Sequence, residues 1–181
     1  MHRPKIVIVP DYGGAGKDHW LEHWRSNHPD AMRFAEHDPR DPTCKAWVRG
    51  IEDAVASAGP RTSLVAHGLG CLAVAHWAAT THRCIDAAML ISVPDVDATG
   101  RIPAQATGFL PVPRKALPFH TLMVAAETDG DYQHAIAHAN DWDATLVLVG
   151  SISHETRPGT RHTWDEGLNL LWNLVDMQLV T

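Results

Sequence analysis

The sequence lacks long apolar runs and basic blocks, and it has few cysteines. No stretch approaches the roughly 20 apolar residues of a membrane-spanning helix. The apolar run near the N-terminus, KIVIVP, is too short for a signal peptide. Lys and Arg do not cluster and the formal net charge is −6, so we do not expect nucleic acid as the main partner. The three cysteines lack metal or disulfide spacing, which indicates reduced thiols in a cytoplasmic protein.

The composition that is present is typical of one soluble globular domain. The chain has 181 residues, of which 45% are hydrophobic and 20% charged, and we expect a single domain over 1–181. Short apolar runs alternate with segments of helical periodicity. Strands are predicted at 5–10, 31–36, 61–66, 86–92, 119–126 and 144–149, and helices at 18–27, 43–58, 69–81, 131–141 and 165–179. This alternation predicts a three-layer α/β/α sandwich with a largely parallel sheet of about six strands. The Pro- and Gly-rich segment 93–118 is expected to form a lid or rim over a site.

Two motifs are similar to ligand sites but lack part of the pattern. DYGGAGKD is similar to a phosphate-binding loop, yet Asp11 and Asp18 stand where that loop has glycine and a hydroxyl residue. HWLEH matches a zinc-peptidase form, but no convincing third ligand follows. We therefore expect no bound nucleotide, no metal and no other cofactor.

The alternative to a metal site in these histidine-rich segments is ordinary helix packing. In HWLEH, Trp20 and Trp24 are spaced four apart and are expected to pack inward. His134 and His138 have the same spacing in a later predicted helix. We expect that pair to lie on a solvated helix face rather than to bind a metal.

The segment RTSLVAHGLGCLAVAHWAA predicts a buried strand, a tight turn and a helix, the order of a nucleophile elbow. The position of the nucleophilic serine holds Gly68. No other residue obviously replaces it. Cys71 is expected to be a small buried residue, and Ser63 lies at the wrong end of its strand. Ser151 and Ser153 are not on an elbow.

The loops after three predicted strands contain candidate triad residues in the chain order of a hydrolase, which is nucleophile, acid and histidine. Gly68 follows the third strand, Asp129 the fifth and His154 the sixth. Sites of parallel α/β sheets form at the carboxyl ends of strands, so these loops are expected to meet. Asp129 is then expected to accept a hydrogen bond from the His154 ring and to orient it for proton transfer. The alternative is an α/β scaffold in which these residues coincide by chance.

Four segments resemble the small serine hydrolases typified by YdeN-like proteins and the retinoblastoma-binding serine hydrolase, a branch of the α/β-hydrolase superfamily. They are IVIVPDYGGAGKDHWLEHW, LVAHGLGCLAVAHWA, VAAETDGDYQHAIAHANDWDATLVLVG and SHETRPGTRHTWDEG. The resemblance covers nearly the whole chain. It implies an α/β-hydrolase fold in which Asp129 is the family's acid, His154 its histidine and position 68 its nucleophile.

The departures from this family cluster at the expected site. Gly68 replaces the serine, and Asp11 replaces a glycine in the loop that donates an oxyanion-hole N–H. Ala15 stands where serine is common, and Ser153 where glycine is usual. Several coordinated departures favour natural repurposing over a single laboratory Ser→Gly change.

The backbone around the elbow is expected to retain an oxyanion hole. Elbow geometry requires the N–H of Leu69, and the loop after the first strand is expected to supply that of Tyr12. Asp11 follows the first strand and is expected near the rim of the same pocket. It is either an acid/base group or a turn residue that bonds the N–H of Gly13 or Gly14.

Three functions remain open from the sequence. The first is an enzyme of hydrolase descent that performs acid/base chemistry on a small organic molecule without a covalent intermediate. A lyase, an isomerase, a cyclase or a hydrolase that uses water activated by His154 would fit. The second is a serine esterase inactivated by Gly68, and the third is a non-catalytic binding protein. The sequence leaves the oligomeric state open and predicts no membrane partner.

Overall fold

The computed structural model describes residues 4–35, 38, 42–59, 61–129, 132–152 and 163–177, with only the backbone of Asp129 included. Six strands run through this part of the chain: β1 (Lys5–Val9), β2 (Met32–Phe34), β3 (Thr62–His67), β4 (Ala87–Ile91), β5 (His120–Ala126) and β6 (Thr145–Val149). The α-helices are α1 (Trp20–Asn27), α2 (Cys44–Ala58), α3 (Leu69–Thr80), α4 (Gln133–Trp142) and α5 (Asp165–Met177). Every predicted strand and helix coincides with one of these elements, and their ends differ by two residues or fewer.

The strands form one parallel sheet in the order β2-β1-β3-β4-β5-β6. Successive side chains of a strand point to opposite faces, and both faces of this sheet are apolar. Val7 and Val9 therefore belong to one buried cluster, whereas Ile6 and Ile8 belong to another.

Helices cover both faces of the sheet. The cluster that includes Val7 also contains side chains of α2, α3 and α4, such as Trp47 and Leu72. The cluster that includes Ile6 contains side chains of α1 and α5, among them the fully buried Trp20 and Trp24. The predicted α/β/α sandwich and the inward packing of these two tryptophans are confirmed. In the part of the chain described, no helix is both long and apolar enough to cross a bilayer.

The strand order brings the ends of β1 and β3 together. The chain passes from β1 outward to β2 and then returns to β3 on the other side of β1. Ligand sites of open α/β sheets form at such a reversal. In the sheet register, Val9 is paired with Ala66. Asp11 lies two residues after Val9, and Gly68 lies two residues after Ala66.

The first turn of α3 packs directly on the end of β1. A Cβ added to Gly70 would lie 2.5 Å from the carbonyl oxygen of Val9 and 2.7 Å from that of Pro10. Both contacts are to backbone, which cannot rotate away. Glycine at position 70 therefore lets the elbow and the loop after β1 approach closely.

The prediction of a solvated face for His134 and His138 is wrong. His138 is 3% exposed, and its ring stacks on Trp142 with a centroid separation of 4.7 Å. Helical spacing places His138 on the side of α4 that packs against the sheet, together with Ala135 and Ala139. His134 is half-buried, and its Nε2 lies 3.0 Å from the carbonyl oxygen of Val93.

Candidate active site

A sharp turn joins β3 to α3 at Gly68. Its φ is 53° and its ψ is −125°, a backbone conformation that costs an ordinary side chain strain. The Gly68 N–H donates to the carbonyl oxygen of Ile91 at 3.0 Å, and α3 begins at the next residue. This is the strand–turn–helix geometry of a nucleophile elbow, with no side chain at its apex.

The carboxyl group of Asp11 occupies the space above this glycine. A Cβ built on Gly68 would overlap the Asp11 Cγ and both carboxyl oxygens. Asp11 Oδ1 accepts hydrogen bonds from the N–H of Leu69 and from the N–H of Tyr12, each at 2.7 Å. The two N–H groups expected to form the oxyanion hole thus converge on one oxygen of this carboxylate.

The position of Asp11 differs from that of a simple turn residue. The N–H of Gly14 donates to the backbone oxygen of Asp11 at 2.9 Å, whereas the side chain bonds Tyr12 and Leu69. The side chain therefore connects the loop after β1 to the first turn of α3. A helix N-terminus favours a negative charge, and charged acceptors make the stronger hydrogen bonds to N–H groups.

A cavity of about 660 Å³ opens beside Asp11, Gly68 and Leu69. Segment 93–118 supplies one wall, through Val93, Pro94, Asp95, Ala98, Arg101 and Pro103. These residues form part of the rim of the cavity. The cavity is large enough to hold a small organic molecule.

Two histidines that the sequence analysis did not place in the site also line this cavity. His67 is the last residue of β3, and the centroid of its ring lies 5.4 Å from the centroid of the His19 ring. His19 Nδ1 accepts a hydrogen bond from the N–H of Leu21 at 3.1 Å. The available signal for His67 was its position at the end of a strand that leads into the elbow.

Ser92 is a third cavity residue that the sequence analysis missed. It directly follows β4, and its φ of 50° is unusual for a residue other than glycine. Its N–H donates to the carbonyl oxygen of Val124 at 2.9 Å. The end of a central parallel strand was again the signal that pointed to it.

The predicted acid and histidine of the triad are described only in part. The backbone of Asp129 lies in a short 3₁₀ turn, Glu127–Asp129, directly after β5. The side chain of Asp129 and all of His154 lie outside the described residues. Their hydrogen bond therefore stays a prediction.

The alternative nucleophiles that are described do not line the cavity. Cys71 is fully buried, its Sγ lies 3.4 Å from the carbonyl oxygen of Ile91, and burial raises its pKa. The expected role of Cys71 as a small buried residue is confirmed. Ser63 is fully buried within β3, and Ser151 is exposed. Ser153 lies outside the described residues.

Among the described residues, no group of three or more His, Cys, Asp or Glu side chains could hold a metal ion. The histidines of HWLEH have separate local roles. His19 caps the N-terminus of α1, whereas the His23 ring lies 2.9 Å from the Asn27 side-chain amide.

Comparison with known proteins assigns the chain to a family. The model of the serine hydrolase family, described as "Serine hydrolase", matches residues 6–173. The chain belongs to the serine hydrolase family. No curated protein sequence matches it significantly.

Solved structures of several hydrolases share the fold. A protein of Pectobacterium atrosepticum assigned as a YdeN-like hydrolase is 21% identical, with a TM-score of 0.78 over 97% of this chain and 92% of that one. The ydeN gene product of B. subtilis is 17% identical, with a TM-score of 0.64 over 98% and 100%. MGS-MChE2, an α/β-hydrolase enzyme from a sediment metagenome of the Mar Chica lagoon, is 10% identical, with a TM-score of 0.68 over 97% and 93%. The chain is therefore an α/β-hydrolase-fold member of this family, as the resemblance implied.

Proposed function

We propose that this serine hydrolase family member is an enzyme that acts on a small organic molecule without forming an acyl-enzyme at position 68. Its chemistry is acid/base chemistry carried by Asp11, His154 and Asp129. The observation that supports this most strongly is the Asp11 carboxylate, which lies in the space of a side chain at position 68 and accepts both elbow N–H groups.

Acyl transfer is poorly suited to this arrangement. It needs a hydroxyl or thiol at the elbow, and Gly68 has neither. It also needs N–H donors for the oxygen of a tetrahedral intermediate. The N–H groups of Leu69 and Tyr12 already donate to Asp11. A substrate carbonyl would have to displace the carboxylate to reach them.

Proton transfer suits the groups that are present. A carboxylate beside a small-molecule cavity accepts a proton, and an imidazole within reach can donate or accept one. In the proposal, Asp129 orients His154 and stabilises its protonated form. A lyase, an isomerase, a cyclase or a hydrolase that activates water each fits this set, and none requires a cofactor or metal in the proposal. The unpaired thiols of Cys44, Cys71 and Cys84 support a cytoplasmic location.

The coordinated fit of Asp11 and Gly68 favours this proposal over a laboratory Ser→Gly change. A serine Cβ would overlap the carboxyl group as it is placed. A serine enzyme would therefore also need a different residue or a different side-chain position at 11. A single Ser→Gly substitution would account for Gly68 but not for Asp11.

A second candidate, a non-catalytic binding protein, is favoured by the same two hydrogen bonds. Asp11 satisfies the N–H groups of Leu69 and Tyr12, so the site is stable with no oxyanion bound. The cavity of about 660 Å³ would then bind a ligand without changing it. The distinction depends on whether Asp11 is needed for turnover.

The test is Asp11→Asn, because the asparagine oxygen still accepts both N–H bonds whereas the amide is neither a base nor an anion. A panel of lactones, epoxides, haloalkanes and hydroxy acids is screened for turnover with the native chain and the variant. We expect activity that Asp11→Asn lowers at least about 100-fold, the scale of general acid–base catalysis, in a chain that is still folded.

The matched control is Asp143→Asn. Asp143 is exposed and has left-handed backbone angles that asparagine also adopts readily. We expect this variant to retain full turnover. Equal turnover by the native chain and Asp11→Asn would refute the catalytic role. Ligand binding in the cavity with no turnover of any panel member would favour the binding protein.

A further inference from the structure

We infer that the groove between α2 and the C-terminal end of α3 binds an extended acidic segment of a partner protein. The groove has a volume of about 560 Å³, and Val48 and Trp77 are among the side chains that line it. It lies at the far end of α3 from Gly68, because that helix begins at Leu69 and its last residue, Thr80, lines the groove. The helix has 12 residues, so its two ends are about 16 Å apart. The groove is therefore remote from the site of the proposed acid/base chemistry.

The groove carries an excess of positive charge in a protein whose formal net charge is −6. Lys45, Arg49 and Arg83 line it together with His82, whereas Glu52 is the only acidic residue among the described residues of its lining. Arg83 is distant in sequence from the two cations of α2, so it is the fold that brings these charges together. The local excess of positive charge favours a ligand that carries negative charge.

The two cations of α2 are available to such a ligand. Lys45 and Arg49 are exposed, and within the described part of the chain neither side chain makes a hydrogen bond or an ion pair. Asp53 lies four residues after Arg49, a spacing at which helical ion pairs commonly form, yet these two side chains do not pair. Neither cation is therefore engaged in stabilising the fold.

The carboxylate of the groove is already satisfied by the protein itself. Glu52 Oε2 accepts hydrogen bonds from the indole N–H of Trp77 at 2.7 Å and from the hydroxyl of Thr81 at 2.9 Å. Glu52 Oε1 accepts the Nε–H of Arg83. This bond holds Arg83 beside the groove, and the two terminal guanidinium nitrogens retain their N–H donors for a ligand. Glu52 therefore positions a third cation and does not compete for the two cations of α2.

The spacing of the α2 cations fits an extended chain. Lys45 and Arg49 are four residues apart on the helix, a separation that places Cβ atoms about 5–6 Å from each other. In an extended segment, alternate side chains point to the same side and are about 6.6 Å apart. Two acidic residues separated by one residue can therefore each meet one of these cations. A third acidic residue at the next alternate position would extend the pattern toward Arg83.

The shape of the surface also favours a chain segment over a compact ion. An adjoining groove of about 500 Å³ shares Lys45, Val48 and Thr80 with the first, so the two form one continuous surface. Its far part is lined by Thr107 and Gly108. A single small anion would occupy only a fraction of this length, whereas an extended segment can follow it.

The test measures fluorescence anisotropy with the full chain and three fluorescein-labelled peptides. The alternating peptide is Gly-Glu-Ala-Glu-Ala-Glu-Gly, and the rearranged peptide, Gly-Glu-Glu-Ala-Ala-Glu-Gly, has the same composition without acidic residues two positions apart. The neutral peptide has glutamine in place of each glutamate of the alternating one. We expect the alternating peptide to bind most tightly, with an affinity that falls as salt screens the exposed charges. The rearranged peptide is expected to bind more weakly, and the neutral peptide not at all.

The variant that tests the groove removes its two unpaired cations. Lys45→Gln combined with Arg49→Gln is expected to lower the affinity for the alternating peptide about 10-fold or more, since each exposed ion pair contributes up to about five-fold. The matched control is Lys17→Gln combined with Lys115→Gln. Those two side chains are also exposed and lie outside the groove. The control changes the net charge equally and is expected to retain the affinity, and melting temperatures check that both variants are folded.

Equal affinities of the two double variants would overturn the inference, as would equal binding of the alternating and rearranged peptides. Inorganic phosphate or a thymidine oligonucleotide that binds in place of the peptides, and only when Lys45 and Arg49 are present, would identify a different anion as the occupant and also overturn it. Sedimentation of the chain alone gives the remaining readout. Self-association that is lost only in the groove variant would mean that a second copy of the chain occupies the groove, against the inference.

Discussion

The carboxyl group of Asp11 fills the space that the first side-chain carbon of residue 68 would need. The two positions are complementary, since Gly68 leaves the volume and Asp11 occupies it. The bond from the Leu69 N–H at 2.7 Å anchors the carboxylate at the N-terminus of α3. Residues 11 and 68 are therefore expected to act as a coupled pair when either is changed.

This coupling predicts that a serine hydrolase can be restored only by changing both residues. Gly68→Ser alone is expected to give no esterase activity and to lower stability by about 1–3 kcal/mol, because its Cβ overlaps the Asp11 carboxyl group. Gly68→Ser combined with Asp11→Gly removes that overlap and vacates both N–H donors. The double variant is expected to hydrolyse p-nitrophenyl acetate and to label with a fluorophosphonate probe.

The controls for this pair are the native chain and Asp11→Gly alone. Neither has a hydroxyl at the elbow, so we expect neither to label with the fluorophosphonate. Labelling of the native chain at Ser151 or Ser153 would show that the nucleophile lies elsewhere. Equal esterase activity in the single and double serine variants would argue against the coupling.

Gly70→Ala is expected to destabilise the fold by about 1–3 kcal/mol, the usual cost of overpacking. The added Cβ would lie 2.5 Å from the carbonyl oxygen of Val9 and would force the elbow away from β1. Urea denaturation measures the free energy of unfolding. Gly16→Ala is the matched control, because a Cβ at this exposed glycine meets nothing within 4 Å. A similar loss of stability in both variants would contradict the close-approach argument.

His138 has an environment that disfavours its charged form. Burial lowers its pKa below the ordinary value of 6.5, and the charges of Arg114 and His134 lower it further. The negative charges of Asp141 and Asp97 act in the opposite direction but do not reverse the shift. The folded protein therefore binds a proton at His138 less readily than the unfolded chain does.

The expected consequence is a loss of stability in acid. The contribution of His138 is fully present above pH 6.5, because both states are then neutral, and it is lost as the pH falls from 6.5 toward the lowered folded pKa. The slope from this one group is at most about 1.4 kcal/mol per pH unit. Urea denaturation across this pH window should show a shallower decline for His138→Phe than for the native chain. Parallel declines would mean that other groups control acid stability.

The order and type of the elements, and the presence of an elbow, follow from local sequence pattern. Short apolar runs such as KIVIVP are buried on both faces, so their pattern does not depend on which strands become neighbours. Gly68 marks the tight turn into α3, because its positive φ is a local requirement of the backbone. Local pattern did not predict the burial of His138, because the side of α4 that is buried depends on how the helix packs against the sheet.

The location of the Asp11 side chain depends on contacts between segments that are distant in sequence. From sequence it was equally a turn residue or an acid/base group, because both interpretations use the same position after β1. The parallel register of Val9 with Ala66 brings Asp11 beside Gly68, although the two are 57 positions apart along the chain. The carboxylate then accepts the N–H of Leu69, a contact that no local pattern encodes. Pairing between strands distant in sequence, and the space left by a missing side chain, are properties of the folded chain alone.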